Sequence, residues 1–182
     1  MRQLGTPVTM KEIRFFESGL QLIQGRGGWR NALAEIIQLV ADSANSTSAS
    51  FYVADWRQNV LKPAITYGLP PAYVDVCGEV SIGDQCCGRA VLHRKPWVVS
   101  DMLSDPLFSS ARDASLVSPI RAGFSVPVID GNNECIGSIG CHCAEPHTPA
   151  SADIERNEIW ATVIAHTISH YKESLASEKR QG

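Results

Sequence analysis

Large apolar residues recur along this chain with two different periods, and the change from one to the other divides it. Over 11–24, Ile13, Phe16, Leu20 and Ile23 fall three or four apart, the spacing of one helix face. Gly25-Arg26-Gly27-Gly28 ends that run, since glycine loses most backbone freedom in a helix. Over 29–45, Leu33, Ile36, Ile37 and Val40 repeat the pattern, and Asn45-Ser46-Thr47-Ser48 closes it. A last helix is expected from a cap at Ser151 or Asp153 to about 179, with Ile154, Ile159, Val163, Ile168 and Tyr171 as its apolar residues.

Between these helices the apolar runs shorten to strand length. Segments 49–56 and 60–67 flank Arg57-Gln58-Asn59 as a hairpin, with Pro63 placing the second strand at an edge or interrupting it. A short strand over 76–82, a short helix over 86–94 after an acidic cap, and a brief strand over 97–100 follow. Residues 101–120 mix turn formers with large apolar residues and read as a cover over a pocket. A second hairpin runs from Ala122 to Cys143 around Asp130-Gly131-Asn132-Asn133, residues that tolerate positive φ. In its return strand Ile139, Cys141 and Cys143 share one face, and Ser138, Gly140 and His142 share the other. The thiol-bearing face is expected to be the pocket wall.

The element order gives an α+β fold: an antiparallel sheet with helices packed on it. The 182 residues, 44% of them hydrophobic, suit a single domain over 11–179, with a loose leader at 1–10 and a tail at 180–182. A net charge of −3 with interspersed signs offers no footprint for nucleic acid or anionic lipid. No apolar stretch approaches the roughly twenty residues of a membrane span, and no secretory signal is recognisable, so a cytoplasmic location is expected. There the six cysteines would be free thiols.

Several segments, taken in order, resemble the GAF domain, the sensory module of phytochromes, cyclic-nucleotide-responsive proteins and many bacterial signalling proteins. They are Cys87-Gly88-Arg89-Ala90-Val91, then Pro96-Trp97-Val98-Val99-Ser100-Asp101 and Asp105-Pro106, then residues 120–128, and Gly131 leading into Cys135-Ile136-Gly137-Ser138-Ile139. The resemblance covers about 29–171. It implies a central antiparallel sheet of about six strands, with the N- and C-terminal helices packed on one face and a ligand pocket on the other. It also implies a regulatory module that binds a small-molecule ligand for signal transduction. A downstream signalling domain or partner protein would read the output, and the wide apolar faces of the terminal helices suggest a homodimer through them. Pocket residues on this reading are Cys77, Cys87, Trp97, Asp101 and Phe108 from the covering segments, with Phe124, Ser125, Ile139, Cys141 and Cys143 from the hairpin.

Two subfamilies sharpen the chemistry. The end of the return strand, Gly140-Cys141-His142-Cys143-Ala144-Glu145-Pro146, looks like a phytochrome GAF domain, except that Cys143 stands where that family has a bilin-contacting His. Val117-Ser118-Pro119-Ile120 stands where plant and cyanobacterial phytochromes carry an attachment Cys followed by His, so no covalent bilin is expected. Free methionine-(R)-sulfoxide reductase, a GAF-fold enzyme, places one Cys ten residues before a Cys-Gly, as Cys77 and Cys87-Gly88 do here. Its substrate-attacking cysteine belongs to the cover, where 113–118 holds no thiol. A thiol enzyme or redox sensor is therefore the alternative to a binding module. Cys86 and Cys87, near a helix N-terminus, are candidates for lowered pKa. No paired Cys-x-x-Cys knuckle points to a metal, and the sequence leaves the ligand or cofactor unidentified.

Overall fold

The computed structural model describes residues 29–106, 108 and 112–181. The leader at 1–10, the helix over 11–24 and the glycine break after it lie outside the described residues. The first described element is α1 (Trp29–Ser43). Leu33, Ile36, Ile37, Val40, Ala41 and, just past its end, Ala44 form one buried stripe at helical spacing. That stripe meets Trp160, Ala161, Ile164 and Ala165 of the closing helix α5 (Ser151–Gln181).

Six strands make one antiparallel sheet: β1 (Ser48–Asp55), β2 (Val60–Tyr67), β3 (Val80–Ser81), β4 (Trp97–Val99), β5 (Ala122–Ile129) and β6 (Cys135–Cys143). Their order across it is β3-β2-β1-β6-β5-β4, so the two hairpins join through β1 and β6. The β5–β6 turn forms as its residues dictate. Asp130 Oδ1 accepts from the Asn132 and Glu134 N–H groups, both at 2.9 Å, and Asn133 takes φ 62°. Pro63 sits where the β1–β2 register shifts, and β3 pairs only with Val60 and Leu61, so its missing N–H leaves no ladder bond broken beyond that pair.

The segment between β2 and β5 departs from expectation. The strand read over 76–82 shrinks to the two-residue β3, and a helix not foreseen, α2 (Pro71–Cys77), takes its first two positions. Pro71 at the helix start accounts for this, since a fixed φ and a missing N–H suit the first turn of a helix. Helix α3 (Gln85–His93) begins where Asp84 Oδ1 accepts from the Gln85 N–H at 2.8 Å, and it ends on Arg94 in the left-handed conformation. The cover also contains a short helix, α4 (Arg112–Val117).

The two faces of the sheet carry opposite chemistry. Ala49, Phe51, Phe124, Val126, Val128, Ile139 and Cys141 pack against α1 and α5. On the other face stand Ser48, Ser50 and Tyr52 of β1, Ser138, Gly140 and His142 of β6, and Gly123 and Ser125 of β5, paired across the register. This reverses the expected orientation of the return strand. Ile139 and Cys141 face the helices, because two amphipathic helices need the more apolar face of the sheet as their partner.

Candidate functional site

Helices α2 and α3 and the described residues of 101–120 lie over the polar face of the sheet. A second apolar cluster holds them down: Tyr73, Cys77, Cys86, Val99, Met102, Phe108, Ala114 and Ile120. The cover is pinned at its ends, with the Met102 N–H donating to the Arg121 carbonyl at 2.7 Å and the Arg121 guanidinium holding Asp101. The Tyr52 hydroxyl donates to the Cys77 carbonyl at 2.9 Å and ties α2 to the sheet.

Beneath this cover is a cavity of about 20 Å³, room for about one water molecule. Ser50, Gly123, Ser125, Gly140 and His142 form its floor. Tyr73, Cys77, Gln85, Cys86, Cys87, Met102 and Phe108 form its walls and roof. Gly140 keeps the floor open: a Cβ there would come within 3.1 Å of Ser50 Oγ and 3.4 Å of Ser125 Oγ. His142 meets Tyr73 edge to face, with ring centroids 5.7 Å apart. Three buried polar atoms on this face have no hydrogen-bond partner: Ser48 Oγ, Ser138 Oγ and His142 Nδ1.

Of the residues expected at the site, Cys77, Cys87, Phe108 and Ser125 come together around the cavity. Phe124 and Cys141 border it, but their side chains belong to the helix-side core, where the Cys141 thiol donates to Asn157 Oδ1 of α5 at 3.6 Å. Ile139 is in that core too. Cys143, at the strand end, is half-buried with Sγ 4.0 Å from Ser46 Oγ. Trp97 lies on the cover side, stacked on His93 at 5.2 Å and not lining the cavity. Asp101 is spent on Arg121. Ser50, Gln85, Gly140 and His142 were not among the expected site residues. Their signal was present in the alternation of Ser or Gly with apolar residues along β1, β5 and β6.

Burial dominates the titration of the site. It pushes the Cys77 thiol up to about 11, the Cys86 thiol up to about 12, and the Cys87 thiol well upward. The lowering expected at the start of α3 is thus outweighed by desolvation. Burial takes His142 down to about 4, so its imidazole is neutral near pH 7. Among the described residues no three His, Cys, Asp or Glu side chains stand together as a metal site. A bilin or haem does not fit the cavity in this form, since ligands of that size need several hundred Å³.

The GAF domain family model matches residues 29–169. A comparison with curated proteins finds no match. Among solved structures, the GAF domain of a phosphoenolpyruvate-protein phosphotransferase from Coxiella burnetii is similar with a TM-score of 0.77 at 16% identity, covering 92% of this chain and 98% of that one. The corresponding Acinetobacter domain gives 0.73 at 14% identity, with 91% and 98% covered. Free methionine-R-sulfoxide reductase from Neisseria meningitidis, solved in complex with its substrate, gives 0.71 at 19% identity, with 96% and 99% covered. At such identities the likeness speaks for the fold. With a six-stranded antiparallel sheet backed by two helices and covered on its polar face, and with a family match over most of its length, the chain belongs to the GAF domain family.

Proposed function

We propose that this GAF domain is a sensory module that takes a small-molecule ligand between the polar face of its sheet and the cover over residues 71–120. One observation carries the reading: a sheet face of buried serines and a histidine is roofed by apolar side chains, yet His142 Nδ1, on the cavity floor, lacks a partner, as do Ser48 Oγ and Ser138 Oγ on the same face outside the cavity. Buried polar groups are nearly always satisfied, and a ligand supplies what the fold leaves open. Because the cavity holds about one water, a larger ligand enters only as the cover moves outward, which gives two states for it to bias. The strands beneath the ligand carry α1 and α5 on their other face, so the shift reaches the terminal helices.

The proposal includes a homodimer through those helices and a downstream domain or partner that reads them. The exposed Ile159 on α5 supports the first part. It also includes a cytoplasmic location, supported by six unpaired thiols. Among the described residues no helix is long and apolar enough to cross a membrane. The test is an amide NMR titration of the full chain against a metabolite library. The Gly123 and Gly140 amides are expected to shift with the bound compound. A tight ligand that leaves both unmoved, and instead perturbs the open groove lined by Val53, Trp56 and Arg94, would refute the site.

The second reading is a thiol reductase, favoured by Cys77 and Cys87 both lining the cavity and by the reductase among the similar structures. It lacks the substrate-attacking cysteine: 113–118 holds no thiol, and α4 covers most of that stretch. Incubation with free methionine-(R)-sulfoxide and dithiothreitol separates the two, and turnover abolished by Cys87→Ser would establish the enzyme.

A further inference from the structure

The cavity wall is uncharged. Among the described residues that line it there is no Asp, Glu, Lys or Arg. Charges on the elements around it are engaged elsewhere: Asp84 caps α3, the Arg89 guanidinium lies 5.6 Å over the Trp97 ring, and Asp101 pairs with Arg121. His142 adds no cation, since burial keeps its ring neutral. A carboxylate, phosphate or ammonium entering this space would lose its water without gaining a counter-charge.

What the cavity does offer is neutral hydrogen bonding beside an apolar wall. The Ser50 and Ser125 hydroxyls flank the space above Gly140, and His142 Nδ1 is buried without a partner. Tyr73, Met102 and Phe108 close the opposite side. We infer that the ligand is an uncharged molecule with one hydrogen-bonding edge turned to Ser50, Ser125 and His142 and a flat apolar body under Tyr73, Met102 and Phe108. A neutral heterocycle or aromatic amide meets that description, whereas a cyclic nucleotide, a free amino acid or a carboxylate does not. The inference rests on the pocket reading above and goes further by fixing the charge of the ligand. It also weighs against methionine sulfoxide, whose zwitterion carries two charges.

The experiment uses matched probes that differ in charge but hardly in shape: benzamide and benzoate, nicotinamide and nicotinate, uracil and orotate. Each is titrated near neutral pH into the full chain while the Gly123 and Gly140 amides are followed by NMR. In at least one pair the neutral member is expected to shift both amides, with its anion at least about tenfold weaker. Anions that move the same amides as strongly as the neutral probes overturn the ligand class and leave the pocket standing. Amides that stay fixed with every probe, up to solubility, overturn the class and the pocket together.

Discussion

Asp101 and Arg121, near the two ends of the cover, hold each other in a two-pronged ion pair: Arg121 Nη2 donates to Asp101 Oδ1 at 2.9 Å and Oδ2 at 3.0 Å, and Nε donates to Oδ1 at 3.2 Å. The guanidinium holds the Asp101 carboxyl below the usual carboxylate range. A lowered folded pKa means that the pair's contribution is present above the unfolded value of about 3.9 and is lost as pH falls through the folded value. Asp101→Asn should remove that acid-range loss. Hydrogen exchange over 101–120 should be faster than wild type at neutral pH and should converge with it in acid.

His142 imposes a second pH dependence, in a higher window. Its folded pKa is pushed down to about 4 from an unfolded value of about 6.5, so the folded state disfavours the proton. Stability is therefore full above about pH 6.5 and falls as pH drops toward 4, by on the order of 3 kcal/mol at most. His142→Phe should flatten this limb. Denaturation midpoints collected between those pH values would show it.

Gly137 and Gly131 should respond oppositely to the same methyl group. A Cβ at Gly137 would overlap the Tyr52 backbone oxygen on β1 and meet the Phe51 ring at 3.1 Å, whereas at Gly131 nothing lies within 4 Å. Gly137→Ala is expected to cost about 2–3 kcal/mol and Gly131→Ala almost nothing. Thermal melts should put the first roughly 5–10 °C below wild type and the second level with it.

The two apolar clusters should come apart under mutation. Trp160 is fully buried in the helix-side core, and Phe108 in the smaller cluster under the cover. Trp160→Ala should lower global stability by about 3–5 kcal/mol. Phe108→Ala should act first on local opening, speeding exchange of the cover amides more than it shifts the global midpoint. Equal effects of Phe108→Ala on both readouts would show that the cover and core unfold as one unit.

Thiol reactivity should follow burial. With Cys77 at about 11, Cys86 at about 12 and Cys141 pushed well up, these side chains should alkylate slowly near neutral pH. The half-buried Cys143 should be labelled ahead of them. Peptide mass spectrometry after timed iodoacetamide exposure gives the order, and rapid labelling of Cys77 would revive the redox reading.

Much of this architecture was legible along the chain. The stripe of Leu33, Ile36, Ile37 and Val40 specified α1 because its period matches the helix and nothing in the fold had to override it. The Asp130 turn and its flanking strands followed from local chemistry alone. Helix α2 was hidden because it is only seven residues long and opens on Pro70-Pro71, which read as a turn, and so short a segment does not declare its period. The site was half legible: Cys77, Cys87, Phe108 and Ser125 stand around the cavity, while Trp97, Asp101, Ile139 and Cys143 stand elsewhere.

By itself the sequence determined the period of each element, the turn between β5 and β6, and the fact that Ile139 and Cys141 share one strand face while Gly140 and His142 share the other. Only the tertiary structure decided which face lies under the cover. Strand alternation separates two sets of side chains without assigning either a partner, and that assignment came from α1 and α5 claiming the more apolar set. The thiols of β6 thereby became core or strand-end groups, and the serines and His142 became the floor of the pocket.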